Sequence, residues 1–298
     1  MDNANAASAG SRANKSSLAS RVASALVLLP LIIFVVWWSI WSVAVGVTVA
    51  TVIALQELYG AFEAGGYQPR TGLGIGIALA LVASVVLRPF VAFDLLPLVL
   101  AGAILASLIT ELPRHNHAGG LPAWALTFTG ALYIGWLLSH FVLLRALTTQ
   151  LNPGLLTPLE IEPGAAWVFL VLAVTFLQDT AAYFVGRGWG RHKLAPTLSP
   201  KKTWEGAAGG MVGAIIASLV CIPLLGLPLS FGAGTLLGVI GGLVGPLGDL
   251  AESLIKREVG LKDAGKIIPG HGGILDRADS LLFTAPVLYY LILLLTHR

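Results

Sequence analysis

The sequence predicts an all-α, polytopic integral membrane protein, and three observations lead there. Hydrophobic residues fill 56% of the 298 positions and the mean hydropathy is +0.84, values that belong to lipid-embedded chains rather than soluble domains. The apolar residues gather into nine runs of roughly the 20 residues a spanning helix needs. Finally, the 18 Lys and Arg residues are distributed unevenly between those runs. Short cytoplasmic loops collect cations, and with the N-terminus inside only Arg88, Arg145 and Arg298 fall on the outer side.

Residues 1–20 are rich in Ala, Ser and Asn, have no hydrophobic period and read as a disordered tail. The first apolar run, 22–40, is too long for a signal-peptide core and ends in Trp37 and Trp38, which suit a membrane interface. A Trp/Ser cluster separates it from the second, 42–61. The others lie near 73–88, 90–109, 121–147, 165–185, 206–227, 231–255 and 281–296. Residues 21–164 thus form five N-terminal helices, and residues 165–298 a second region with two charged cytoplasmic loops. The outer loop at 148–164 is acidic through Glu160 and Glu162.

The net charge of +3 is far too small for a nucleic-acid reader. Cys221, the single cysteine, has no partner for an intrachain disulfide. Glycines recur at four-residue spacing, as in Gly206/Gly210, Gly209/Gly213, Gly234/Gly238/Gly242 and Gly241/Gly245. Such faces permit close helix approach, either within one chain or across a dimer contact; a homodimer is the expected assembly.

Chemistry concentrates in three places. In FLQDTAAYFVGRGWG, Gln178 and Asp179 sit inside the sixth run, where an ionised carboxylate costs about 2.5–3.5 kcal/mol and is by default functional. Asp179 shares a helical face with Tyr183; it is read as a further metal ligand or as the tether of a lysine. The loop at 186–206 combines Ser199, Lys201, Lys202, Thr203, Trp204 and Glu205, hydroxyls, ammonium groups and an indole that suit a polyphosphate carrying a base or sugar. No Walker sequence is present.

The third place, Gly248–Ser280, is a charged island in a hydrophobic chain. Asp249, Ser253 and Lys256 share one helical face, and Asp276 and Asp279 another. Two helix ends bearing carboxylates suit one or two Mg²⁺ ions, which take oxygen ligands and leave positions for substrate phosphates. Gly270, Gly272 and Gly273 flank His271, a turn able to present backbone N–H groups to phosphate, with His271 as phosphate partner or proton carrier.

Ser253-x-x-Lys256-Arg257, Lys262-Asp263, Pro269-Gly270-His271-Gly272-Gly273 and Asp276-Arg277-x-Asp279 together resemble the signature of phosphatidate cytidylyltransferases. GRHKLAPTLSPKKTWEG and QDTAAY resemble the same family, so the likeness covers residues 165–298, and the N-terminal half matches only as hydrophobic spans. The resemblance implies a bacterial inner-membrane enzyme with a cytoplasmic site, converting CTP and phosphatidic acid to CDP-diacylglycerol and pyrophosphate with Mg²⁺. It implies Asp249, Asp276 and Asp279 as metal ligands, with Asp179 either a further ligand or the tether of a lysine, and Lys256, Arg257, His271 and Arg277 as catalytic residues. Ser199, Lys201, Lys202, Thr203, Ser253, Lys262, Gly272 and Gly273 would bind substrate. Alternatives are a CTP-dependent lipid or polyprenol kinase, an ether-lipid cytidylyltransferase, or a transporter. The last would call for matching interrupted halves, whereas the chemistry here is crowded into residues 179–279.

Overall fold

A computed structural model describes residues 26–113, 119–261, 265 and 272–296. The expected N-terminal tail lies outside them. The chain folds into apolar helices α1 (Leu26–Trp38), α2 (Ile40–Ala64), α3 (Thr71–Val86), α4 (Leu95–Ile109), α5 (Gly120–Ala131) and α6 (Leu137–Arg145), then α7 (Pro163–Trp189), α8 (Trp204–Leu225), α9 (Phe231–Glu258) and α10 (Leu275–Thr296). A π-helical turn, Leu132–Trp136, joins α5 to α6 as one rod. Among the described residues, six helices are long and apolar enough to cross a membrane: α2, the α5–α6 rod, and α7 to α10. Helices α1, α3 and α4 are shorter. The expectation of an all-α integral membrane protein is met in this coarse form.

Local chemistry explains several boundaries. The Trp/Ser cluster breaks α1 from α2 because Ser39 leaves the helix and caps α2. Its Oγ accepts from Ser42 N at 3.1 Å while Ser42 Oγ accepts from Ser39 N at 3.0 Å, a reciprocal capping box. Thr203 caps α8 by accepting from Gly206 N at 3.1 Å.

One element departs from the expected loops. Residues Lys193–Ala195 (β1) and Ser199–Thr203 (β2) pair antiparallel, with Lys193 opposite Thr203 and Ala195 opposite Ser199. Pro196 sets the backbone for the turn, and Pro200 is tolerated because each strand of a two-stranded ribbon has a free edge.

The glycine faces are consumed inside the chain. A Cβ at Gly213 on α8 would come within 2.7 Å of the Ala181 Cβ on α7, and one at Gly238 on α9 within 2.5 Å of the Ile215 Cα on α8. A Cβ at Gly242 would meet Met211 Sδ at 2.9 Å, and one at Gly248 would strike the Asp279 carbonyl on α10. Helix α9 is therefore the strut on which α7, α8 and α10 converge. At the opposite end of α7, buried Arg145 donates to Val36 O at 3.1 Å and pairs with Glu162 at 2.6 Å, tying α1, α6 and α7 together.

These contacts give a paired expectation. Gly238→Ala forces a methyl against backbone and should cost about 1–3 kcal/mol. Gly76→Ala on α3, with nothing within 4 Å of the new atom, should be neutral or stabilising by up to about 1 kcal/mol. Unfolding of the purified variants in detergent separates the two.

Candidate functional site

At the end of the α7–α10 group where the hairpin sits, the helices enclose a cavity of about 600 Å³, ample for a nucleotide-sized ligand. Helix α7 contributes Gln178, Asp179, Tyr183 and Arg187; the hairpin Lys193, Lys201, Lys202 and Thr203; α9 Pro246 and Asp249; and α10 Asp276 and Arg277. The two stretches separated in sequence, 178–207 and 246–277, thus share one wall.

Electrostatics organise the wall. Lys202 Nζ reaches across from β2 to Asp249 Oδ2 at 2.8 Å and donates to Pro246 O at 3.2 Å. Asp179 lies near Asp249, with Lys202, Arg277 and Ser280 close by. Asp279 lies among Asp249 and Asp179, and its Oδ1 accepts from Ser280 N at 2.6 Å. Ser253 donates to Asp249 Oδ1 at 3.3 Å. Like charges so close in a weakly polar setting repel strongly, so cations must answer them.

Asp276 is held differently from its neighbours. Its Oδ1 pairs with Lys256 Nζ at 2.8 Å and its Oδ2 accepts from Gly273 N at 2.8 Å. Lys256 also pairs with Glu252 at 2.7 Å. Glu252 and the Asp276 side chain are buried, with exposures of 1% and 8%, and Lys256 is largely covered at 12%. Lys256, expected as a catalytic cation, is off the cavity wall and bridges two buried carboxylates instead.

Arg257 also lies off the wall. It donates to Leu198 O at 3.4 Å and Leu261 O at 3.1 Å, pinning the hairpin tip to the end of α9. At the hairpin base, Glu205 accepts from Arg191 N at 3.1 Å, His192 N at 3.2 Å and the His192 ring at 2.6 Å. Ser199 opens β2 opposite Ala195 and is not among the described residues that line the cavity. Gly272 takes the left-handed conformation, φ +84, beside the Asp276 carboxylate. Gly273 spends its N–H on Asp276. Lys262 and His271 lie outside the described residues.

Three polar residues escaped the sequence reading. Glu57 on α2 accepts from Ile274 N at 3.2 Å and Leu275 N at 2.8 Å, at the start of α10. Glu252 is the buried partner of Lys256. Tyr133, on the π-helical turn, stands near Glu252 and Asp279; such turns often mark functional positions. The available signal was Glu57 itself, a lone carboxylate within an apolar run.

The donor set can be tested against a metal. Among the described residues, no three His, Cys, Asp or Glu side chains form a closed metal-holding group. Asp179 and Asp249 line the cavity with Asp279 next to them, and all offer oxygen. That set fits Mg²⁺, which commonly takes one or two carboxylates and completes its shell with water and substrate phosphates.

A sequence profile described as the cytidylyltransferase family matches residues 19–295. The chain belongs to the cytidylyltransferase family. Curated relatives of this chain include a phosphatidate cytidylyltransferase of Synechocystis, 33% identical over 268 residues, 86% of this chain and 89% of that one. A phosphatidate cytidylyltransferase of Bacillus subtilis is 40% identical over 164 residues, 55% of this chain and 56% of its own. The uncharacterized protein YnbB of Escherichia coli is 43% identical over 173 residues, 58% of this chain and 56% of its own. The alignments thus span little more than half the length of the last two relatives and most of the first.

The buried bridge from Lys256 to Glu252 and Asp276 has a measurable consequence. Lys256→Met strips two buried carboxylates of their cation and should cost about 3–5 kcal/mol. Lys202→Met, at a more open pair, should cost clearly less. Denaturation of both variants in detergent tests the ranking.

Proposed function

We propose that this cytidylyltransferase transfers CMP from CTP to phosphatidic acid, releasing pyrophosphate and forming CDP-diacylglycerol. The observation that carries the reading is the cavity wall, where Arg187, Lys193, Lys201, Lys202 and Arg277 face Asp179 and Asp249 at the ends of apolar helices. Membership of the family and the names of the Synechocystis and Bacillus relatives support it.

The lipid phosphate already carries the attacking oxygen, so no side chain has to generate a nucleophile. Its oxygen bonds to the α-phosphorus of CTP as the bond to the bridging oxygen of the β-phosphate breaks, and pyrophosphate departs with that electron pair. The protein's work is positioning and charge stabilisation. Lys193, Lys201 and Lys202 on the hairpin hold the triphosphate. Arg277 and the α7 side of the cavity, bordered by exposed Tyr183 and Phe184, receive the lipid phosphate from the bilayer. Asp249, with Asp179 and Asp279, would hold Mg²⁺. When bound, Mg²⁺ neutralises charge on the departing pyrophosphate. Asp276 is occupied by Lys256 and Gly273.

In the same proposal the nine apolar helical rods each cross the membrane. The N-terminus and the cavity lie on the cytoplasmic side of a bacterial inner membrane, as the placement of Lys and Arg indicates. A homodimer would use faces other than the glycine stripes, which are buried against α7, α8 and α10.

Purified protein incubated with α-labelled CTP and phosphatidate should place label on the lipid, lose that activity in EDTA and regain it with Mg²⁺. Asp249→Asn should lower turnover by about 100-fold or more while keeping the fold. Label found wholly in CDP would show a kinase and overturn the proposal.

A further inference from the structure

Helix α10 begins with Asp276 and Arg277 in its first turn, both on the cavity wall. How it starts therefore decides where those groups stand. A helix opens with backbone N–H groups that have no partner inside the helix and carry the positive end of its dipole. At most helix starts a nearby side chain in the same stretch takes them; here the partner comes from the other half of the chain. Glu57 on α2 accepts from Ile274 N at 3.2 Å through one carboxylate oxygen and from Leu275 N at 2.8 Å through the other, across 217 and 218 positions of sequence. Asp276 takes the preceding N–H, that of Gly273, at 2.8 Å.

The fit around Glu57 is tight. The residue is 7% exposed, and a side chain at Gly265 or Gly273 would strike its carboxylate. The charged segment between α9 and α10 is therefore shaped around Glu57 at two described points. Two charge-assisted bonds to a helix start are short-range and directional. They fix both the height of α10 along its axis and its rotation, the two variables that set Arg277 and Asp276 against the cavity.

The geometry points to Glu57 as a positioning residue for cytidylyl transfer, acting on Asp276 and Arg277 through the start of α10. The kinetic part of this inference rests on the reaction proposed above. Glu57 is not among the described residues that line the cavity, and the role inferred for it is exerted through α10. Its loss should misplace the reacting groups more than it weakens CTP binding. Displacing such a supporting partner typically costs about 10- to 100-fold.

The test uses the full-length protein in detergent with Glu57→Gln and Glu57→Asp, read in two ways. Hydrogen–deuterium exchange should rise in peptides covering the start of α10 in Glu57→Gln and stay unchanged in α8. In the CTP and phosphatidate assay, Glu57→Gln should lose about 10- to 100-fold in kcat with the CTP KM within about threefold. Glu57→Asp, which keeps the charge, should recover part of the loss. Unchanged exchange at α10 together with full kcat in Glu57→Gln would overturn the inference. So would a loss that appears as uniform exchange across all helices, the mark of a merely structural role. If Glu57→Gln fails to fold, the exchange arm is read on Glu57→Asp, where an unaltered α10 start would count equally against it. Wild-type protein that transfers no CMP would sink the proposed reaction, while the exchange result would still decide whether Glu57 holds α10.

Discussion

The structure depends on how closely the backbones of α9 and α10 approach one another. At Gly248 there is room for a hydrogen and nothing larger against the Asp279 carbonyl. That contact brings the residue after it, Asp249, beside the first turns of α10, and so unites carboxylates from two helices that the chain separates by a charged loop. Glycines at 210, 213, 238 and 242 repeat the same economy of space along α8 and α9. In lipid, where apolar surfaces gain little from leaving one solvent for another like it, such close contacts supply much of the association.

Once the helices are that close, charge has to be balanced locally. Asp179, Asp249 and Asp279 stand near one another in a setting where repulsion is poorly screened. Lys202 answers Asp249 from the hairpin and Arg277 approaches Asp179, while Lys256, itself off the cavity wall, bridges Glu252 and Asp276. The two lysines illustrate a division that residue type alone does not reveal. One is exposed to the cavity and free to change partners when a phosphate arrives; the other is sealed into the packing.

Much of this was legible in the chain. The apolar runs, the break at the Trp/Ser cluster and the clustering of function in the C-terminal half came from composition and periodicity. Asp179 stood out because a carboxylate inside an apolar helix is costly. What could not be read was the direction each charge faces. Lys256 and Arg257 belong to the motif as fully as Arg277 does, yet Lys256 lies two turns beyond Asp249 along the same face of α9, and Arg257 is turned about 100° further around it, so neither lines the cavity. The hairpin was concealed because two short strands rich in Lys, Pro and Ser carry no hydrophobic alternation. Glu57 was concealed because its partners are backbone amides more than 200 residues away, and backbone amides leave no trace in a sequence.

The central claim is that the cavity between the hairpin, α7, α9 and α10 is the CTP site. A photoreactive CTP analogue, cross-linked in the presence of Mg²⁺ and mapped by mass spectrometry after proteolysis, tests it most directly. The account predicts label on the peptides containing Lys193–Thr203 and the Asp249 end of α9, removed by excess unlabelled CTP. Competable label confined to α1–α6, with none on the hairpin, would contradict it.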